Sequence, residues 1–347
     1  MNENVSAKDR GRNFSLSHDV LYFTHNETDF GNPLWKEASR RALVVRLSPF
    51  DDVAESRPHL FLFDEIRREL PEAYIDFAFF PKQRDIPILG KAGLPWLCGI
   101  ASGRGAGDFD ILVVSNAFTL ELVNLMPALA GSGIPPRRSD RATGALPYIL
   151  LGGSNALASG ALLDIREGKI ADSVPDGFFF GEGEVIAGKL VADILASRND
   201  DEYFKLARVH AGFYPAGYEG SVVQASFRGS APGIQSYPVL AGGYADTVRM
   251  DISSGCPSFC TFCFESWERK PYREYSLSSL SSLARKLKTL SGAETIELSS
   301  YNFNTHSDIT GLISSAAKVF KQVNFMSQRV DILAEHPELV EDRKSVV

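Results

Sequence analysis

The sequence predicts an α/β protein with a doubly wound parallel sheet, followed by a second and shorter α/β unit. Two observations support this class. From Ala42 onward, apolar runs of strand length alternate with segments of helical spacing, which is typical of parallel sheets covered by helices. A stretch rich in Gly, Pro, Tyr and Ser, residues 198–245, separates two such regions and predicts a linker or a small β-ribbon.

The predicted organisation is therefore a polar arm (1–40), a first domain (41–197), the linker, and a second domain (246–347). Short apolar runs bounded by Gly, Pro or Asp predict the strands, and apolar residues three or four positions apart predict the helices. The predicted strands are 42–48, 74–80, 110–116, 148–154, 176–184, 247–256, 294–300 and 323–329, and the predicted helices are 60–70, 118–133, 185–197, 277–290 and 308–320.

Composition excludes several classes of function. The 347 residues carry a net charge of −7, which argues against a broad phosphate-neutralising surface, so nucleic acid is not an expected partner. The chain contains neither an apolar run of about 18 residues nor an apolar segment behind its polar N-terminus, so we expect no membrane span and no secretory signal. With only four cysteines, the composition fits a reducing compartment, and we expect a cytoplasmic protein.

Three of the four cysteines, Cys256, Cys260 and Cys263, follow a predicted strand with the spacing C-x₃-C-x₂-C. Thiolates at this spacing can converge on one inorganic centre. Iron–sulfur clusters are normally held by four Cys sulfurs, so three would leave one iron for a non-protein ligand. Zinc is an alternative, although a second Cys or His pair is missing, and a disulfide or three unrelated core cysteines are others. Cys98 lies in an apolar context and is predicted to be a buried thiol.

The segment CPSFCTFC, residues 256–263, resembles the signature of radical S-adenosylmethionine (SAM) enzymes, with Phe262 as the aromatic residue before the last Cys. The resemblance implies that the three cysteines bind a 4Fe–4S cluster and that SAM chelates the fourth iron. It also implies that an electron, from a donor such as a flavodoxin or ferredoxin, cleaves SAM to a 5′-deoxyadenosyl radical. The Phe262 backbone would lie near the adenine.

Further residues are carried over from the same resemblance. Ser299 and Ser300 end a predicted strand at the place of a Gly-Gly-Glu-like element that meets the SAM amino group, although they do not match it. Ser327 and Arg329 resemble a later strand end that supplies polar contacts to SAM. The alternative for these residues is that they are ordinary solvated strand ends.

Strand ends in the first domain carry small and polar residues, and ligands of open parallel sheets bind beyond such ends. Each glycine there could instead be a simple turn. Taken together with the cysteine motif, these ends resemble the cobalamin-binding, Rossmann-like domain of cobalamin-associated radical SAM proteins, and the run ERKPYREY (268–275) resembles the same group. The resemblance implies a cofactor site formed by Ser115, Gly152, Gly153, Gly181, Glu182, Gly183 and Glu184.

One departure concerns the cobalt. The D-x-H-x-x-G motif that supplies an axial His in some cobalamin proteins is absent, and His59 lacks that spacing, so we expect His59 to be structural or exposed. Cobalamin would then be held without a protein His. The alternative is a cobalamin-free scaffold for substrate docking.

The segment after Cys256 is long enough for only about three βα units of roughly 30 residues, so we expect the N-terminal part of a radical SAM barrel. The leading hypothesis is an iron–sulfur enzyme that reductively cleaves SAM, with cobalamin-dependent methylation or rearrangement of a small molecule or peptide. The alternatives are a non-catalytic or split-enzyme cluster-binding protein and a zinc-binding interaction module. The sequence assigns neither a catalytic residue nor a substrate.

Overall fold

A computed structural model describes residues 30–53, 56–141, 146–197, 199–227, 229, 247–263, 267 and 270–335. Most of the predicted arm (1–40), part of the predicted linker (198–245) and the final residues 336–347 lie outside the described residues. The chain divides into two compact units, with the boundary between Phe227 and Arg228. Within the described residues, no helix has the length and apolarity needed to cross a membrane.

The first unit contains eight strands and seven helices of the α type among its described residues. The strands are β1 (Arg41–Arg46), β2 (Tyr74–Phe79), β3 (Ile111–Ser115), β4 (Tyr148–Gly152), β5 (Leu163–Arg166), β6 (Lys169–Ser173), β7 (Gly177–Phe179) and β8 (Phe213–Pro215). The helices are α1 (Phe50–Val53), α2 (Pro58–Glu69), α3 (Ile86–Ala92), α4 (Leu125–Gly131), α5 (Arg138–Arg141), α6 (Ala187–Ala196) and α7 (Asp200–Val209).

The main sheet of this unit has the strand order β2-β1-β3-β4-β7-β8. All neighbours are parallel except β8, which pairs antiparallel with β7 at the edge. An order that reverses between β1 and β3 is that of a doubly wound sheet, whose ligands bind at the carboxyl ends of the strands near the reversal. The predicted Rossmann-like fold of the first domain is confirmed.

Side chains that alternate along each strand form a core on both faces of the sheet. On one face, Leu43, Leu112 and Leu151 pack in a single cluster with Leu125 and Leu129 of α4. On the other face, Phe63 of α2 stacks on Phe77 of β2, with 5.4 Å between the ring centroids. The sheet is thus buried on both sides, which explains the continuous apolar runs in its sequence.

Part of the predicted linker is ordered secondary structure of the first unit. Residues 200–209 form α7, whose first turn is capped because the Asn199 side chain accepts a hydrogen bond from the Glu202 N–H at 3.0 Å. Asn at the N-cap and acidic residues in the first turn are a helix-start signal. The neighbouring Gly- and Pro-rich sequence obscured that signal, so the interpretation of residues 200–209 as a linker or β-ribbon was wrong.

The single helix predicted over residues 118–133 is divided into a 3₁₀ segment, Thr119–Asn124, and α4. Pro127 explains the division, because it has no N–H to donate to the Val123 carbonyl, so the α-helical hydrogen bonds cannot continue upstream of it. The Glu121 carboxylate accepts the N–H groups of Ala117 and Phe118 at 2.7 and 3.2 Å, and this contact fixes the start of the 3₁₀ segment.

The second unit contains a small parallel sheet with two well-formed helices. Its elements are β9 (Thr247–Asp251), β10 (Ser253–Ser254), β11 (Arg273–Glu274), α8 (Leu277–Ser291), β12 (Thr295–Ser299), α9 (Ile309–Ala317), β13 (Gln322–Phe325) and α10 (Val330–Glu335). Strand β12 lies between β9 and β13 and is parallel to both. Parallel strands joined through helices are the repeating unit of a βα barrel, and the predicted partial barrel is confirmed.

Candidate metal and cofactor site

The cysteine loop begins where β9 ends, at the carboxyl edge of the second sheet. There the Ile252 N–H donates to the Ser299 carbonyl at 3.0 Å, so the chain entering the loop stays beside the end of β12. Cys256 is only 5% exposed, whereas Cys260 and Cys263 are half-buried. The loop therefore carries one thiol inside the unit and two nearer to its surface.

Lys270 fixes the backbone of the first half of this loop. Its ammonium group donates to the carbonyl oxygens of Cys256 and Ser258 and lies 3.9 Å from the centroid of the Phe259 ring. Phe259 in turn packs edge-to-face against Trp267, whose indole N–H donates to the Cys260 carbonyl at 3.0 Å. One cation and two aromatic rings thus fix the backbone that carries Cys256 and Cys260.

Replacing Lys270 by Met should loosen the loop without unfolding the unit. Two hydrogen bonds from a charged donor at a half-exposed position contribute on the order of 1–2 kcal/mol, so we expect amide hydrogen exchange in the peptide spanning 256–263 to be about tenfold faster. The matched control is Lys288→Met. Lys288 also donates to a carbonyl, that of Ala293, and lies over the Phe320 ring, but on α8. Equal exchange in both variants would contradict the role given to Lys270.

Of the residues predicted to contact SAM, most lie around the same strand ends. Ser300 shares a hydrogen bond of 2.7 Å with Ser253, and the Ser299 hydroxyl donates to the Met326 sulfur at 3.7 Å. The Ser327 carbonyl accepts the Phe303 N–H at 3.0 Å. The Phe262 side chain is 90% exposed and makes the surface of the loop.

Arg329 reaches the cysteine loop directly. Its guanidinium donates to the Ser258 hydroxyl at 2.9 Å and to both oxygens of Asp331. Hydrogen bonding with Asp331 raises the pKa of Arg329, and the nearby Cys260 and Cys256 sulfurs act in the same direction. A guanidinium held beside the thiols can donate its remaining N–H groups to a carboxylate.

One residue of this site was missed by the sequence analysis. The Asn302 side-chain amide donates to the Cys256 sulfur at 3.1 Å. The two residues are far apart in the chain, and no spacing pattern links them. The only available signal was a polar residue two positions after the predicted strand end Ser300.

The three thiols are not gathered around a single point. Among the described residues, no group of three or more His, Cys, Asp or Glu side chains is arranged to hold one metal ion. A tetrahedral zinc site needs its sulfurs at about 2.3 Å from a single ion, whereas an iron–sulfur cluster binds each thiolate through a different iron. Three thiols in one loop supply the kind of donor that iron–sulfur clusters take from proteins.

In the first unit, the predicted cofactor residues lie at the ends of three adjacent strands. Ser115 ends β3 and is buried, and Gly152 ends the neighbouring strand β4 and is followed by Gly153. Gly153 has φ +107°, and a Cβ there would lie 2.3 Å from the Asn116 carbonyl oxygen. The chain that leaves β4 thus passes the backbone of the residue after β3 at a separation that only glycine permits.

The Gly181–Glu184 segment has the same kind of packing one strand further on. Gly181 has φ +107°, and a Cβ there would lie 2.2 Å from the Ala225 carbonyl oxygen. The Glu182 carboxylate accepts the Phe227 N–H at 2.7 Å, and Gly183 lies against the Phe61 ring. Gly181 and Glu182 thus contact the last described segment of the first unit. Glu184 lies half-exposed before α6.

The charged side chains at the reversal between β1 and β3 are paired with other groups of the protein. Arg46, which is fully buried, pairs with the Glu121 carboxylate at 3.7 Å and donates to the Ser56 hydroxyl at 2.8 Å. Burial lowers the pKa of Arg46, and the charge of Glu121 opposes that shift. The Ser48 hydroxyl donates to the same carboxylate.

His59 is enclosed behind this pair. It has no exposed surface and lies edge-to-face against Phe77 and Phe79. Burial, and then the charge of Arg46, lower the pKa of His59 to about 3, so the imidazole is neutral at physiological pH. An imidazole enclosed in this way is structural, and it is not available to a cobalt ion.

An apolar surface covers the same carboxyl edge. It consists of three side chains on the segment after β3 and one after β4, defined here as the edge patch. These are Phe118 (64% exposed), Leu120 (80%), Val123 (68%) and Leu157 (50%). Contiguous exposed apolar side chains are uncommon on soluble units and mark surfaces that bind a ligand or another protein segment.

The chain is similar to one protein family and to several solved structures. Residues 61–214 match the family described as radical SAM proteins, N-terminal. Solved structures that resemble the chain include the radical SAM methyltransferase TsrM from Kitasatospora setae, with 14% identity, 81% of this chain and 50% of that one covered, and a TM-score of 0.46. Another is the cobalamin-dependent SAM radical enzyme OxsB, with 13% identity, 82% and 38% covered, and a TM-score of 0.48. The chain thus spans half or less of these structures, and no curated protein matches it.

Proposed function

We propose that the second unit holds a 4Fe–4S cluster on Cys256, Cys260 and Cys263, a proposal supported by the match of residues 61–214 to the family described as radical SAM proteins, N-terminal. The observation that carries the proposal is the position of three thiols in one loop at the carboxyl ends of parallel strands. Reactive groups of βα barrels lie at that end of their strands. When bound, such a cluster supplies the electron for reductive cleavage of SAM.

The protein's own residues would prepare this site in three ways. Lys270 fixes the carbonyl groups of the loop and adds a positive charge beneath it. Asn302 donates to the innermost sulfur. Arg329, whose charge is retained at any physiological pH, lies within reach of the loop and could bind the SAM carboxylate, while Ser299 offers a hydroxyl for the SAM amino group.

For the first unit, we propose that cobalamin lies over the edge patch. Phe118, Leu120 and Leu157 provide an apolar surface at the end of the sheet where doubly wound folds bind ligands. A corrin ring is broad and largely apolar, so it would cover such a surface. Because His59 is enclosed, cobalamin would be bound without His59 as a ligand of the cobalt. With both cofactors bound, the reaction would be methylation or rearrangement of a substrate.

Anaerobic reconstitution with iron and sulfide tests the cluster. We expect about four irons per chain, a broad visible absorption and, with a chemical reductant, conversion of SAM to 5′-deoxyadenosine. Replacing Cys256, Cys260 or Cys263 by Ala should remove the iron, whereas Cys98→Ala, in the core of the first unit, should retain it. Stoichiometric zinc in the air-free protein would contradict the proposal. A cluster without SAM cleavage would favour the non-catalytic alternative.

A further inference from the structure

The hydrogen bond from Asn302 distinguishes one cysteine from the other two. Its amide nitrogen lies 3.1 Å from the sulfur of Cys256, which is the buried thiol of the loop. A thiolate has no proton and can only accept hydrogen bonds, so the NH₂ group is the end of the amide that faces it. Cys260 and Cys263 are nearer to the surface, where water competes with any protein donor.

Hydrogen bonds other than the one to the sulfur fix the backbone of Asn302. Its backbone N–H donates to the Ser300 hydroxyl at 3.3 Å, and its carbonyl accepts from the Thr305 hydroxyl at 2.7 Å. Both partners belong to the segment that follows β12. The backbone that carries the donor is therefore held by this segment, which keeps the amide close to the sulfur when the charge on the sulfur changes.

We propose that Asn302 is a positioning residue that raises the reduction potential of the cluster through the Cys256 sulfur. The inference rests on the proposed function, since it requires a cluster on this loop. Reduction adds one negative charge, part of which resides on the sulfur ligands, and a hydrogen bond stabilises the reduced state more than the oxidised state. Burial of Cys256 strengthens the effect, because a low local dielectric increases electrostatic interactions.

Arg329 is the other residue near the loop that could raise the reduction potential, and we expect its effect to be smaller than that of Asn302. Its guanidinium is a full charge, but it is paired with both oxygens of Asp331, which cancel much of its field. Its contact with the loop is to the Ser258 hydroxyl rather than to a sulfur. The group also lies partly in solvent, where water and salt screen it further. The Asn302 amide, by contrast, contacts a buried sulfur directly.

The test is a redox titration of the reconstituted full-length protein, without SAM, followed by electron paramagnetic resonance of the reduced cluster. Asn302→Leu removes the donor at similar volume, and we expect its equilibrium constant for one-electron reduction to fall about tenfold, which is about 59 mV. Asn302→Asp replaces the donor by a charged acceptor and should shift the potential further in the same direction. Asn324→Leu is the control, because the Asn324 side chain lies on β13 and accepts its hydrogen bond from the Gln322 side chain, at 3.0 Å.

The outcomes separate this inference from the function on which it rests. Wild-type protein that takes up no iron would refute the cluster itself. A wild-type cluster whose potential equals that of Asn302→Leu would refute only the role of Asn302. Loss of iron from both Asn302 variants, with Asn324→Leu unaffected, would also overturn the inference, because the amide would then be needed for assembly instead of for the potential.

Discussion

Gly153→Ala should destabilise the first unit by about 3–5 kcal/mol. The added Cβ would lie 2.3 Å from the carbonyl oxygen and 2.7 Å from the nitrogen of Asn116, and both are backbone atoms that cannot rotate away. A φ of +107° adds strain of about 1–3 kcal/mol for any residue with a side chain. Relief would break the hydrogen bonds from Asn116 to Gly152 and from Asn155 to Asn116, each of about 1 kcal/mol.

Gly133→Ala is the matched control for this substitution. Gly133 also has a positive φ, +73°, but nothing lies within 4 Å of the position where a Cβ would be. Only the backbone strain remains there, so we expect a loss of about 1–2 kcal/mol. Urea unfolding followed by tryptophan fluorescence measures both variants, since Trp35 and Trp96 belong to the first unit.

The same experiment decides between two roles for the glycine. If Gly153 served only to let a cofactor approach the backbone, Gly153→Ala would show only the strain loss seen in Gly133→Ala and would lose cobalamin binding. If the crossing over Asn116 is the reason for the glycine, stability falls whether or not cobalamin is added. Equal urea midpoints for the two alanine variants would contradict the packing explanation.

Local patterns predicted the parallel strands of both sheets and five of the ten α-helices among the described residues, because each depends on residues close together in the chain. Apolar runs marked β1 to β4, and the cysteine spacing marked the loop after β9. The hairpin of β5 and β6 was not predicted, because its strands are largely exposed and carry alternating polar residues without a long apolar run. Helix α3 was missed as well, since its seven residues contain both a proline and a glycine.

Contacts between distant segments could not be read from the sequence. The hydrogen bond between Asn302 and Cys256 depends on how β12 and β9 are aligned, which no local pattern records. The glycines at 153 and 181 were predicted as cofactor residues, with simple turns as the alternative, and each has a neighbour from another part of the chain, Asn116 and Ala225. A sequence shows that a glycine is required, but only the fold shows what approaches it.

Asp76 is the second residue whose replacement should have a large effect. It lies on β2 with no exposed surface, and its carboxylate accepts hydrogen bonds from Phe77, Ala101 and Ser102. The Ser102 N–H and hydroxyl both donate to one oxygen, at 2.9 and 2.7 Å. Gly99 fits against the same oxygen, where a Cβ would come within 2.2 Å. One buried carboxylate therefore anchors the loop that follows Cys98.

Asp76→Ala should lower the free energy of unfolding of the first unit by about 4 kcal/mol. The substitution leaves the N–H groups of Ala101 and Ser102 buried without an acceptor, and each such group costs about 1–3 kcal/mol. Asp108→Ala is the control, because Asp108 lies exposed near the same loop and should be replaced without measurable loss. Similar unfolding curves for the two variants would show that the loop does not depend on the carboxylate.

The pH dependence provides an independent measurement on the same residue. Burial raises the pKa of Asp76 from 3.8 to about 6, although its backbone and Ser102 hydrogen bonds act in the opposite direction. A carboxyl group whose pKa is higher in the folded state stabilises the fold below the unfolded pKa, and that contribution is lost as pH rises to about 6. Two pKa units correspond to about 3 kcal/mol. The free energy of unfolding of wild type minus that of Asp76→Asn, whose side chain does not titrate, should therefore decrease between pH 4 and pH 6 and stay constant above pH 6. A difference that does not change with pH would show that the folded pKa of Asp76 has its ordinary value.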